Sequence, residues 1–172
     1  MESKFIISFS VEINPKKKAS RNGVKAIKEI SEKFGNNFFS EVIVFSKALS
    51  VAGTVDLIVK GDNDSFYIFD WKTTKDIYKD NGRYGISDFT EHLKDSNFNK
   101  YSLQLSAYNY LLREFHDINV SGQFIVHLTE FGYEIIEAPE DINPDPLNFE
   151  VKDGAREGYK YIEKINKYRK IT

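Results

Sequence analysis

The chain contains no cysteine. That excludes disulfides, thiolate nucleophiles and every zinc site that needs a sulfur ligand, and it fits a reducing compartment. Proline is scarce: three of the four lie in "PEDINPDPLNF", which must be loop, so few breakers interrupt the rest of the chain. No apolar run is long enough to span a membrane. The N-terminal "MESKFIISFSVEI" lacks the basic flank and long apolar stretch of a signal peptide. These features read as a soluble, intracellular protein with no membrane partner. Excess charge of one sign is also missing, because 24 Lys and Arg face 26 Asp and Glu for a net charge of −2. A general nucleic-acid coat protein would be basic. A nuclease need not be, since only one groove must attract phosphate and metal-binding carboxylates add negative charge.

What is present suits one domain over residues 1–172. Hydrophobic residues make up 41% and charged residues 29%, with 14 Phe and 10 Tyr, enough for a sizeable core. "KFIISFSVEI" alternates weakly at Phe5, Ile7, Phe9 and Val11, as a strand or extended arm would. Val24, Ile27, Ile30 and Phe34 recur at helical spacing, and Gly35 closes that helix. The run "KKKASRNGVKAIK", Lys16 to Lys28, has six basic residues and no acidic one. Such a run is most often a solvated helix start; it is also a candidate phosphate contact.

"FFSEVIVFSKAL" reads as a strand, followed by strands near 51–60 and 65–72 joined by the turn "GDND". Three adjacent strands with short connections predict an antiparallel meander. Residues 73–100 form a long irregular connection, of the kind that is often functional or mobile, with a short helix in "GISDFTEHL" and loop in "KDSNFNK". "KYSLQLSAYNYLLREF" is an amphipathic helix with a stripe of Tyr101, Leu105, Tyr108, Leu112 and Phe115. "GQFIVHLTEFGYEIIEA" reads as a strand hairpin, and Ala155, Tyr159, Ile162 and Ile165 mark a C-terminal helix. A helix between strands permits a mixed sheet with helices on both faces: an α/β fold.

Charge inside the two strands at 51–60 and 65–72 is the informative anomaly. Asp56 lies in "TVDLIV", and Asp70 and Lys72 lie in "FYIFDWK", all with apolar flanks. Asp70 and Lys72 point the same way from a regular strand. If the hairpin loop is the three residues 62–64, Asp56 falls opposite Asp70, with Cβ atoms roughly 4.5–5.5 Å apart. A two-residue loop would put them on opposite faces unless a bulge restored the register. Two carboxylates that close need a shared proton, a basic group or a metal, and an oxygen-rich pair suits magnesium or manganese. Lys72 beside them can orient a water or neutralise charge on a phosphate. Phosphodiester hydrolysis asks for this set: an electrophile, an activated water and a cation for the transition state. Asp-x-Lys alone is common on wet strand faces, and Asp56 and Asp70 on different faces would leave a structural domain with incidental charges.

"GTVDLIV", a short turn, "FYIFDWKTTK" and then "YSLQLSAYNYLL" together resemble the PD-(D/E)XK nuclease superfamily. The closest likeness is to its RecB-like branch, which includes mitochondrial-genome-maintenance exonucleases and many phage proteins. The resemblance covers about Glu41 to Leu112. It implies a restriction-endonuclease-like core, a central mixed sheet flanked by helices, that cuts DNA with one or two Mg²⁺ or Mn²⁺ ions. By the same resemblance, Gly53 and Asp56 match the G-x-x-D motif, Asp70 and Lys72 the acid-x-Lys motif, and Gln104 and Tyr108 the Q-x-x-x-Y helix. The backbone carbonyl of Trp71 is implied as a further metal contact.

Gln104 and Tyr108 are one helical turn apart and share a face. Gln104 can donate to a phosphate or hold Lys72, and Tyr108 can stack, donate or simply pack. The branch often carries a His or Glu on an early helix. His92, His116 and His127 all come too late, so Glu29 is the candidate, with Glu32 next, and Glu41 is a separate acid on the strand before the hairpin. In the 73–100 segment Lys75, Lys79 and Arg83 offer positive charge to DNA, and Tyr84 and Phe89 can stack on bases. The expected activity is exonuclease action on single-stranded or frayed DNA, in the cytoplasm, or the host cytoplasm if phage-encoded. A replication, repair or recombination protein is the expected kind of partner. An endonuclease of the same superfamily and a non-catalytic nucleic-acid-binding or assembly module are the alternatives.

Overall fold

The computed structural model describes residues 18–86 and 90–139. The arm at Phe5–Val11, Phe89, the proline-rich segment from 140 onward and the helix expected around Ala155–Ile165 lie outside them.

The basic, alanine-containing segment forms α1 (Lys18–Phe34), which ends at Gly35 in a left-handed conformation, φ +115°. Three strands follow: β1 (Asn37–Ser46), β2 (Val51–Lys60) and β3 (Phe66–Lys72), with the 3₁₀ turn Asp62–Asp64 between the last two. A short ribbon, β4 (Asp80–Tyr84) and β5 (Lys94–Ser96), leads into α2 (Asn97–His116), and the hairpin β6 (Val120–Leu128) and β7 (Tyr133–Glu137) completes the described part. The five-stranded sheet has the order β1-β2-β3-β6-β7. β3 and β6 run parallel and the other neighbours antiparallel, so α2 is the crossover a parallel pair requires. The mixed sheet flanked by helices is the α/β architecture expected of the sequence.

Each helix covers one face. On one side Val44, Ile58, Ile68, Leu105, Leu112 and Ile125 pack beneath α2. On the other, Ala26 and Ile30 of α1 meet Leu57, Val59, Phe69 and Val126. Phe69 centres an aromatic layer there, stacked on Phe124 at 5.1 Å and edge-on to Phe34 at 5.4 Å. Two residues placed on apolar stripes by their spacing are exposed instead. Val24, on the second turn of α1, is 48% exposed; Phe115, at 39%, stands in the last turn of α2, leaning on Tyr110.

The regular alternation of faces breaks in the middle of β1 and β2. Their pairing runs from Asn37–Lys60 to Ser46–Val51 but omits Glu41–Asp56. Glu41 has a left-handed backbone, φ +54°. Phe39 and Val42 consequently share the α2 side, as do Val55 and Ile58, while Leu57 faces α1. Both strands therefore turn over by a half-step at one level of the sheet, as at a bulge.

The 73–100 connection is largely built. Ile77 is buried in the α2-side core, Asp76 accepts from the amides of Tyr78 and Lys79 at 3.1 and 3.0 Å, and Asn97 donates to Thr74 Oγ1 at 3.2 Å. The helix expected in 85–93 is not found among its described residues, because 90–93 form a turn whose Leu93 carbonyl accepts from Gly85 at 3.0 Å. A Cβ at Gly85 would lie 2.2 Å from Thr90 Oγ1, so only glycine fits this reversal.

Replacing Phe69 with Ala removes the middle of the aromatic layer. Urea denaturation should show a loss of about 3–5 kcal/mol; a loss under about 1 kcal/mol would mean that the layer is not core.

Candidate active site

The β2–β3 register places the acids. Gly61 donates to Ser65 across the turn at 2.9 Å, and pairing runs from Lys60–Phe66 to Leu57–Phe69. The next pair in that register is Asp56 and Asp70, as the three-residue loop requires. The ladder stops there. Continued regularly, it would send the Trp71 amide to the Val55 carbonyl; instead that amide donates to Asp56 Oδ2 at 2.9 Å. The parting of the strands at the Glu41 level thus frees β2 to turn a carboxylate onto the backbone of β3.

Asp70 is 1% exposed. Its Oδ1 accepts from Gln104 Nε2 at 2.9 Å. Its Oδ2 makes no directed hydrogen bond and is held by an ion pair with the Lys72 ammonium. Gln104 serves both charges, accepting from Lys72 Nζ on Oε1 at 3.3 Å, while Nε2 also reaches Tyr108 Oη at 3.1 Å. The amide orientation is therefore fixed by chemistry: its nitrogen must face the carboxylate and its oxygen the ammonium. Lys72 Nζ also lies 4.5 Å from the centre of the Tyr101 ring, a cation–π contact.

The electrostatics are unbalanced in the direction expected for a buried carboxyl beside a second acid. Burial pushes the Asp70 carboxyl up to about 6; Lys72 opposes the shift and the Asp56 carboxylate beside it adds to it. Asp56, Asp70, Lys72, Gln104 and Tyr108 thus come together on the α2 side of the sheet.

Other predicted positions do not join them. Glu29 lies on α1, across the sheet from Gln104, bound by Lys33 at 2.7 Å and by the Tyr133 hydroxyl at 2.7 Å. It does not reach the acid pair: the rotation of α1 that buries Ala26 and Ile30 sends it to β7. Glu32 is exposed and pairs loosely with Lys28 at 3.9 Å. Glu41 falls level with Asp56 but is exposed, and no cluster of three or more His, Asp or Glu suited to a metal occurs among the described residues. Lys75, Lys79, Arg83 and Tyr84 are all exposed, the last two on the ribbon.

Two neighbours were missed. Tyr101 reads from its spacing only as part of the apolar stripe of the helix, yet its place three residues before Gln104 also puts it over the lysine. His127 pairs directly with Lys72 across the parallel ladder, and its Nε2 lies 2.7 Å from the Thr74 carbonyl. It fixes the chain as it leaves β3. No sequence signal gives that parallel register.

A family model described as the PD-(D/E)XK nuclease superfamily matches residues 8–167. The chain belongs to the PD-(D/E)XK nuclease superfamily. No curated protein matches it. Among solved structures, this superfamily member is similar to a candidate exonuclease from Eubacterium rectale, with a TM-score of 0.50 and 13% identity over 89% of the present chain. The chain spans 56% of that protein's length. At that identity the likeness concerns the fold. No helix among the described residues is long and apolar enough to cross a membrane.

Members of the superfamily typically use divalent metal ions, and the donor set here fits one. Two adjacent carboxylates and the backbone around Trp71 are hard oxygen donors, and the buried Asp70 charge is undercompensated by Lys72 alone. Small hard cations bind through one or two carboxylates and retain several waters.

The Asp70 shift has a sign that can be measured without a metal. Between pH 3.8 and about 6 the folded carboxyl keeps a proton that the unfolded one has lost. Metal-free stability therefore falls as pH rises through that window. Asp70→Asn has no such titration. In EDTA its stability relative to wild type should improve from pH 4 to 7, by on the order of 2–3 kcal/mol. A pH-independent difference in thermal unfolding would refute the assigned cause.

Proposed function

We propose that this chain hydrolyses DNA phosphodiester bonds with Mg²⁺ or Mn²⁺, as an exonuclease acting on single-stranded or frayed ends. The observation that carries the reading is the buried Gln104–Asp70–Lys72 unit set against Asp56. Asp56, Asp70 and the Trp71 carbonyl are the ligands this reading assigns to one ion; the described residues offer no further acid for a second. When bound, the ion supplies an electrophile for the phosphoryl oxygen and makes a nearby water a better nucleophile.

The chain's own groups do the rest. Gln104 locks the Asp70 carboxylate and the Lys72 head in one relative orientation. Tyr108 anchors Gln104, and Tyr101 supports the ammonium from its far side. Lys72, the last residue of β3, presents a positive charge at the end of the sheet, where it can orient the attacking water or offset charge growing on the phosphate. The ribbon stands at the same end, and its exposed Arg83 and Tyr84, with Lys79 before them, suit a phosphate backbone and a base. The exonuclease reading draws on this ribbon and on the description of the Eubacterium rectale protein. A replication, repair or recombination factor is the partner such an enzyme would serve.

Linear and circular single-stranded DNA, labelled at either end, should be assayed with Mg²⁺, Mn²⁺ and EDTA. Linear strands should be shortened stepwise with either metal and not in EDTA, while circles survive; cut circles would establish an endonuclease. Asp70→Asn and Lys72→Met should each slow cleavage at least ~10²-fold while remaining folded. Wild-type turnover in Asp70→Asn would overturn the site, and metal binding without any cleavage would favour a binding module.

Lys79→Ala with Arg83→Ala should weaken DNA binding and reduce the slope of log affinity against log salt by roughly 1–2. An unchanged slope would remove the ribbon from the DNA path.

A further inference from the structure

The end of the sheet that carries Lys72 has a second exposed element. β6 runs parallel to β3, with His127 beside Lys72, so the turn that follows β6 emerges next to the end of the catalytic strand. Phe131 sits on that turn and is 93% exposed. One exposed phenylalanine is unremarkable on a protein surface; its support and position are not.

The turn is tightly held. Thr129 Oγ1 accepts from the amides of Phe131 and Gly132 at 3.2 and 3.1 Å, and the Thr129 amide donates to the Gly132 carbonyl at 2.9 Å. Asn22 of α1 then donates to the Thr129 carbonyl at 2.9 Å. That bond also brings the start of α1 to the same corner, with exposed Arg21 and Lys25 on either side of Asn22 in sequence. The acids of the hairpin, Glu130 and Glu134, are exposed too, so net charge at the turn itself is not what would attract a strand.

We infer that Phe131 is a stacking platform for an unpaired nucleobase beside the reacting phosphate, with Arg21 and Lys25 following the backbone away from it. This rests on the nuclease reading and deepens it: the substrate is single-stranded where it meets the site. The hydrogen-bonded turn keeps the backbone that carries the ring in place, and any base offers the ring a face. The arrangement places an aromatic surface on the α1 side of the sheet end, with the ribbon on the α2 side, so that the strand lies between them.

The test is steady-state cleavage of a short single-stranded oligonucleotide in Mg²⁺. Phe131→Ala should raise KM about tenfold and leave kcat nearly unchanged, since stacking on a base that takes no part in bond cleavage is uniform binding. Phe131→Trp should restore KM. Tetrahydrofuran abasic residues, placed one position at a time, should raise the wild-type KM at one or two positions near the cut and leave the Phe131→Ala KM insensitive there. The salt dependence should not change, because no phosphate contact is lost. Equal KM values for an active wild type and Phe131→Ala would overturn this inference alone. So would a lowered melting temperature in Phe131→Ala, which would mean that the ring packs against the chain. A wild type that cuts no DNA in either metal overturns the nuclease reading and this inference with it.

Discussion

A carboxylate buried in the centre of a β-sheet is unstable unless something answers its charge, and Asp70 is such a group. Its 1% exposure would be costly in an ordinary core. Gln104 and Lys72 answer part of that charge, and the Asp56 carboxylate adds more of the same sign. Much of the surrounding structure can be understood as holding this arrangement. α2 must cross the sheet at the angle that brings Gln104 down onto β3. β2 must part from β3 where Asp56 turns inward. β6 must lie parallel to β3 so that His127 can secure the chain beyond Lys72. Apolar packing beneath both helices supplies the stability that lets the fold tolerate the acid pair.

The parts readable from the sequence were those governed by local rules. Turn chemistry at Gly61–Asp64 marked the hairpin but left its loop at two or three residues; the three-residue turn of the structure sets Asp56 opposite Asp70. Helical spacing put Gln104 and Tyr108 on one face. The alternation of "FYIFDWK" gave Asp70 and Lys72 a common side. These relations span a few residues or a single hairpin, where geometry leaves few choices.

Features that depended on packing were not readable. Glu29 looked available because the rotation of α1 about its axis is set by Ala26 and Ile30 meeting the aromatic layer. The left-handed backbone of Glu41 and the half-step turnover of two strands leave no mark in an alternation pattern. The ribbon at 80–96 is made of polar, short strands that lack an apolar period. Its apolar anchor is the buried side chain of Ile77. The adjacency of His127 and Lys72 comes from a parallel pairing between segments far apart in the chain.

The parallel pairing also governs when the acids, the lysine and the glutamine meet. Gln104 lies 34 residues beyond Asp70 and 32 beyond Lys72. Contacts of that span form late, once the crossover has docked. Before that docking, Asp70 and Lys72 lack the amide side chain that fixes their relative orientation.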